Sequence, residues 1–178
     1  MAPGARRYDP DRRQRIIDAA MRVVAARGIA GLSHRSVAAE ADVPLGSTTY
    51  HFTTLDELLV AALNQASEAY APPLVLHAGE DLAGALARLL REMLTADRGR
   101  AELEYELYLA ALRRPALRPV AARWHEAVAK LLEPYADPVT ARALVAVMDG
   151  ISLQVLLTDA PYEEAYAREV LGRVLANA

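Results

Sequence analysis

The sequence predicts an all-α protein of about nine helices, an N-terminal three-helix unit followed by a longer helical bundle. Three observations carry that reading. Alanine is spread along the whole chain, and β-branched residues rarely alternate with polar ones, so the period-2 signal of a strand is nearly absent. Apolar residues instead recur at three- and four-residue spacing between recognisable helix caps. Of 178 residues, 53% are hydrophobic and 24% charged, enough for a packed core under a charged surface.

Asp9-Pro10-Asp11 predicts the first helix start, with an aspartate cap, proline at the first helical position and an acid near the positive end of the dipole. Ile16, Ile17, Ala20, Met21 and Val24 then repeat at helical spacing, and Arg27-Gly28 supplies the stop. Ser33 caps a second, short helix holding Val37, Ala38 and Ala41. Asp42-Val43-Pro44 interrupts it, and a third helix covers Leu45 to His51. Thr54-Leu55-Asp56-Glu57 has the layout of a capping box. The helix it opens carries Leu58, Leu59, Ala62, Leu63, Ala66 and Ala69, with Pro72-Pro73 as its stop. Longer helices are predicted over about 80–97, 101–113, 118–134 and 138–158. A last amphipathic helix follows Pro161 and runs to about residue 177.

Several classes of function lack their chemistry here. With no cysteine there are no disulfides and no thiolate ligands or nucleophiles. The four histidines, His34, His51, His77 and His125, have no metal-ligand spacing, and no nucleophile triad or phosphate-cradling glycine loop occurs. The expectation is no metal, no cofactor and no enzyme. No apolar run approaching the ~18 residues of a membrane span stands out, and the N-terminus is not a secretory signal. A cytoplasmic protein without a membrane partner is expected. Net charge is −3, yet residues 1–16 hold five arginines (Arg6, Arg7, Arg12, Arg13, Arg15) against Asp9 and Asp11. Residues 1–9 thus read as a basic arm, either a polyanion contact or a solvated tail.

Residues 33–52, SHRSVAAEADVPLGSTTYHF, have the layout of a helix-turn-helix: a short helix with an apolar inner face, a tight turn, then a helix rich in small polar residues. Short hydroxyl side chains and a glycine let such a helix sit deep in a major groove, while tyrosine and histidine can reach phosphate oxygens. By spacing alone, a small helical core with a polar turn fits the same residues.

The stretch from Arg12 to Leu63, RIIDAAMRVVAARGIAGLSHRSVAAEADVPLGSTTYHFTTLDELL at its heart, resembles the tetracycline-repressor (TetR) family of bacterial transcription regulators. The resemblance rests on the first-helix pattern, the Gly28 stop, the Val37-Ala38 pair, the Gly46…Tyr50-His51-Phe52 block and the acidic-leucine start of the fourth helix. It implies an arm over 1–9, a DNA-binding domain over 10–55, and a ligand-binding and dimerisation domain over 56–178. It implies a homodimer on double-stranded operator DNA, most simply a repressor released by a small organic effector. Two other readings stand beside it: a helical small-molecule-binding protein without DNA function, and an activator without an effector. Carried over by position, the DNA contacts would be Ser33, Arg35, Leu45, Gly46, Ser47, Thr48, Tyr50, His51 and Thr54. Leu55 departs from the family, which commonly has lysine there.

In the second domain, Tyr105 and Tyr108 share a helix face with Leu109 and Leu112, and Trp124 lies on the next helix. With Met93 and Met148 they would line an apolar cavity, for which Glu104, His125, Asp149 and Gln154 are the polar candidates. The same stripe also reads as plain core. Asp149 stands out, since a carboxylate within the most apolar helix is costly unless paired or hydrated. Gly150 beside it suggests a close helix crossing. For dimerisation, the last two helices offer Val147, Ile151 and Val155, then Ala167, Val170, Leu171 and Val174.

Overall fold

The computed structural model describes residues 9–69, 74–158 and 160–176. The described residues form nine α-helices and no strand. They divide into two compact units, one running to Ala62 and the other starting at Leu63. The division falls inside the fourth helix.

The first unit holds α1 (Arg12–Arg27), α2 (His34–Ala41), α3 (Leu45–His51) and the first half of α4 (Leu55–Ala69). α1 buries Ile16, Ile17, Ala20 and Val24 as the spacing predicts, with Val23 buried as well and Met21 only half-buried. Gly28 ends it at φ 69°, its N–H donating to the Val24 carbonyl at 2.7 Å, in the left-handed half of the map that glycine enters without cost. The helix begins two residues later than the Pro10 signal suggests. Asp9 accepts the Asp11 N–H at 3.2 Å and pairs with Arg15 at 2.9 Å, holding the preceding residues as a turn. Arg15 also donates to the Ala41 carbonyl at 3.3 Å, at the end of α2, and Arg13 lies 5.0 Å over the Phe52 ring. Part of the basic cluster is thus engaged within the fold; Arg6 and Arg7 lie outside the described residues.

Ser33 and Ser36 form a reciprocal capping box at the start of α2. Thr54 accepts the Glu57 N–H at 3.1 Å, and Glu57 reaches back to the Thr53 N–H at 2.7 Å, one residue before the partner a standard box would use.

The second unit holds the rest of α4, then α5 (Leu82–Arg91), α6 (Arg98–Leu109), α7 (Arg118–Leu132), α8 (Pro138–Thr158) and α9 (Glu164–Ala176). Its core joins Leu86 and Leu90 of α5, Leu132 of α7, Leu144 of α8 and Leu171 of α9. The predicted helix over 80–97 is shorter, because α5 gives way to one π-helical turn over Glu92–Ala96. Such turns widen a helix locally and are common beside functional sites. Pro119 sits in the first turn of α7, where proline's missing N–H costs nothing.

Two expectations about α8 are corrected. At 21 residues it is long and apolar enough, by length and composition, to cross a membrane, yet only 39% of its most apolar stretch is buried within the chain. Among the described residues, no other element comes within 4 Å of a Cβ placed on Gly150, so none of them makes a close crossing there. The anticipated dimer stripe is also turned. Ile151, Val155, Ala167 and Leu171 are buried in the chain's own core, while Val147, Val170 and Val174 are half-buried. The outward face of α8 instead carries Ala146, Gly150, Gln154 and Leu157, with Leu157 75% exposed, and α9 presents Tyr166. A helix apolar on two sides gives no periodicity signal for which side faces inward.

Candidate functional site

Two sets of residues have the placement of functional groups, one in each unit. In the first, α3 is seven residues long and follows the Pro44 cap. It exposes Leu45, Gly46 and Tyr50, the last 83% exposed, and leaves Ser47 and His51 half-buried. The Tyr50 and His51 rings meet edge to face at 5.2 Å. A Cβ on Gly46 would meet nothing within 4 Å, so no neighbour in the chain requires glycine at a helical position where it costs roughly 0.5–1 kcal/mol against alanine. Arg35 on α2 and Thr54 before α4 are exposed, and Ser33 is exposed as the α2 cap. One expected contact is corrected. Thr48 is fully buried and its hydroxyl bonds the Leu45 carbonyl at 2.8 Å, so it serves the packing of α3 and is not available to a base edge. Its neighbour Thr49 is exposed instead. A helix of two turns does not fix its phase from sequence, which is why the wrong threonine was favoured.

The second unit holds a partly open chamber of about 280 Å³. Leu89, Met93, Trp124, Val128, Met148 and Tyr105 supply apolar and aromatic walls, and Asp149 is the carboxylate facing it from α8. The π-helical turn brings Met93 to the wall. Asp149 is held from two sides: Tyr105 donates its hydroxyl to Oδ1 at 3.0 Å, and His125 Nε2 lies 3.2 Å from Oδ2. The same nitrogen meets the Tyr108 hydroxyl at 2.6 Å. Tyr108, Trp124 and His125 also pack ring against ring, Tyr108 stacking on His125 at 5.2 Å and lying 5.9 Å from Trp124. One carboxylate thus ties together α6, α7 and α8.

Burial pushes the Asp149 carboxyl above the usual carboxylate range, opposed by the Tyr105 hydrogen bond and by His125. Glu104, 7% exposed on α6, is pushed up to about 8 by burial, with the Asp149 charge adding to the effect and Arg100 opposing it. Among the described residues its Oε1 meets no hydrogen-bond donor. Tyr108 and Glu104 line a smaller cleft that adjoins the chamber at Tyr105 and Trp124. Gln154 is corrected: it is exposed on the outer side of α8 and borders neither space. Sequence reasoning missed Ser152, which is fully buried beside the chamber with no partner for its hydroxyl among the described residues. A small polar residue in an apolar helix was the available signal.

These two sets match a known pairing. Residues 16–62 match the family model described as bacterial regulatory proteins, tetR family, and residues 77–177 match the tetracyclin repressor-like C-terminal domain. The chain belongs to the TetR family. A relative from Paenarthrobacter nicotinovorans, the HTH-type nicotine-responsive transcriptional repressor HdnoR, is 33% identical over 162 residues, covering 81% of this chain and 83% of that one. Crystal structures of the multidrug binding protein EbrR are similar throughout. The ethidium complex is 69% identical with a TM-score of 0.85, covering 92% of this chain and 98% of that one. The proflavin complex is 69% identical with a TM-score of 0.80, covering 92% and 99%. A TetR-family member from Streptomyces coelicolor A3 is likewise 69% identical, with a TM-score of 0.82 over 93% and 98%. This TetR-family chain is therefore a helix-turn-helix transcriptional regulator.

The buried carboxyl of Glu104 gives the regulator a pH-dependent stability. The fold binds its proton up to about pH 8, whereas an unfolded chain releases it near 4.5. Between those values the unfolded state holds fewer protons, so stability falls as pH rises and levels off above the folded value. Urea denaturation across this window should show a steeper decline for the wild type than for Glu104→Gln, which cannot ionise. Parallel curves would place the carboxyl in contact with water.

Proposed function

We propose that this regulator is a repressor that binds a palindromic operator as a homodimer and is released from it by flat aromatic cations. The observation that carries the effector class is the chamber: Tyr105 and Trp124 stand in its wall beside Asp149, which Tyr105 and His125 hold, and Glu92 and Asp97 also border it, against the single cation Arg100. A ring face attracts a cation, and the carboxylate neutralises it. Relatives support the reading, since EbrR binds ethidium and proflavin and HdnoR responds to nicotine. The protein is not an enzyme and works where the DNA is, in the cytoplasm.

On the operator, Leu45, Gly46, Ser47 and the exposed Thr49 enter the major groove, and Arg35 reaches a base edge. Tyr50, His51, Ser33 and Thr54 contact phosphates, which position the protein without reading sequence. Two heads of one dimer meet half-sites whose centres lie ~34–36 Å apart, or a multiple of that. An effector lowers DNA affinity only by the difference in its own affinity for the two conformations, typically a coupling of ~1–3 kcal/mol. The link is α4, whose residues up to Ala62 belong to the DNA-binding unit and whose Leu63 and Ser67 border the cleft beside the chamber.

Fluorescence anisotropy with duplex from the region upstream of the protein's own gene tests the assignment. The wild type should bind at nanomolar concentration and proflavin should release it. Gly46→Leu should lose operator binding more than tenfold at unchanged thermal stability, because the added side chain meets only the groove. Retained affinity would remove α3 from the groove.

The second copy covers the outward side of α8 and α9: Gly150 for close approach, with Ala146, Leu157, Tyr166 and Val170 around it. Leu157→Glu should yield folded monomers by light scattering and abolish operator binding. A dimer persisting in that variant would move the interface to another face.

A further inference from the structure

The cleft beside the chamber has the makings of a second, selective part of the site. Leu63 and Ser67 of α4, Ala121 of α7 and Tyr108 of α6 border it, and Tyr105 and Trp124 line both it and the chamber. Glu104 projects into it, more than nine-tenths buried, with Oε1 lacking any donor among the described residues. A buried acceptor left unmatched is costly, and its natural complement is an N–H group. The space is about 10 Å³, the room of one water and hence of one nitrogen with its hydrogens. A dimethylated nitrogen brings two further carbon atoms and has no hydrogen to give.

We propose that this cleft is an amino-group socket: an aromatic cation lies in the chamber and extends one unsubstituted amino group between Tyr105 and Trp124 to donate to Glu104. The inference rests on the aromatic-cation reading above and goes beyond it by assigning the chemical feature that selects among such cations. Asp149 answers charge in general, and Glu104 recognises an N–H at one end. Because Leu63 and Ser67 form the far wall, the group that fills the socket touches α4 directly.

The socket also has a proton to release. At neutral pH burial keeps Glu104 protonated. The charges it feels are Arg100 of its own helix and Asp149 of α8, while α4 and α7 present only Leu63, Ser67, Ala121 and Trp124 to the cleft. An incoming amino group carrying part of a cation's charge favours the ionised form, so the acid proton leaves to solvent as the dye binds.

Proflavin and acridine orange form a matched pair, since the second is the first with both amino groups dimethylated, and both are cations at neutral pH. Tryptophan quenching in the full-length protein should give proflavin at least tenfold tighter binding. Glu104→Leu should bring the two dyes within about threefold of each other by weakening proflavin, and Glu104→Gln, which keeps an acceptor oxygen, should preserve most of the preference. Calorimetry of the wild type in two buffers of different ionisation enthalpy should find proton release with proflavin and none with acridine orange, a readout that needs no variant. Equal affinities of both dyes for the wild type, or a preference that survives Glu104→Leu, would overturn the socket while leaving the chamber reading in place. Failure of both dyes to bind would overturn the aromatic-cation reading, and the socket with it.

Discussion

A carboxylate set into the most apolar helix of the chain is the constraint around which the effector domain is arranged. Asp149 cannot be carried in α8 without partners, because an ion moved out of water costs more than most single contacts return. Its partners come from two other helices, Tyr105 from α6 and His125 from α7. They in turn bring Tyr108 and Trp124 into ring contact around the same point. The aromatic cluster that would bind a cation is therefore also the cluster that satisfies the carboxylate. A ligand that competes for Asp149 must loosen Tyr105 or His125, and so acts on the packing of α6 and α7.

The DNA-binding unit follows a different economy. Its helices are short, and caps and small buried residues hold them: Ser33 with Ser36, Gly28 after α1, Ala38 and Ala41 beneath α2. Isolated helices of seven or eight residues are marginal in water, so α3 keeps its shape through packing. Thr48, buried and bonded to the helix's own carbonyl, is part of that packing, which frees Leu45, Gly46, Thr49 and Tyr50 to face outward.

What was legible in the sequence was mostly local. The Gly28 stop, the Ser33 cap and the Thr54 start each depend on a few adjacent residues, and the structure has all three. The cost of a carboxylate in α8 pointed to Asp149, which the structure partners with Tyr105 and His125 at the chamber wall. Phase and partnership were harder to read. α3 is too short for periodicity to separate Thr48 from Thr49. α8 is apolar on two sides, so Ile151 could not be assigned to the core or the outer face until α5 and α9 were in place, nor Val155 until the π-helical turn and α6 were. Gln154 shares a helix with Asp149 but points the other way, a difference of five residues that sequence spacing alone does not weigh. Glu104 was one of four polar candidates for the cavity, yet its lack of a donor among the described residues arises only where α4, α6 and α7 come together.

The most direct measurement is a titration of proflavin into the wild type and Asp149→Asn, following Trp124 emission and release of labelled operator in the same cuvette. Asparagine keeps the shape of the side chain and a partner for Tyr105, and removes the charge. Proflavin should bind the variant at least tenfold more weakly, with emission and release shifting together and operator affinity in the absence of dye unchanged. Equal dye affinity in the two proteins, or operator release without any change in Trp124 emission, would contradict a cation site centred on Asp149.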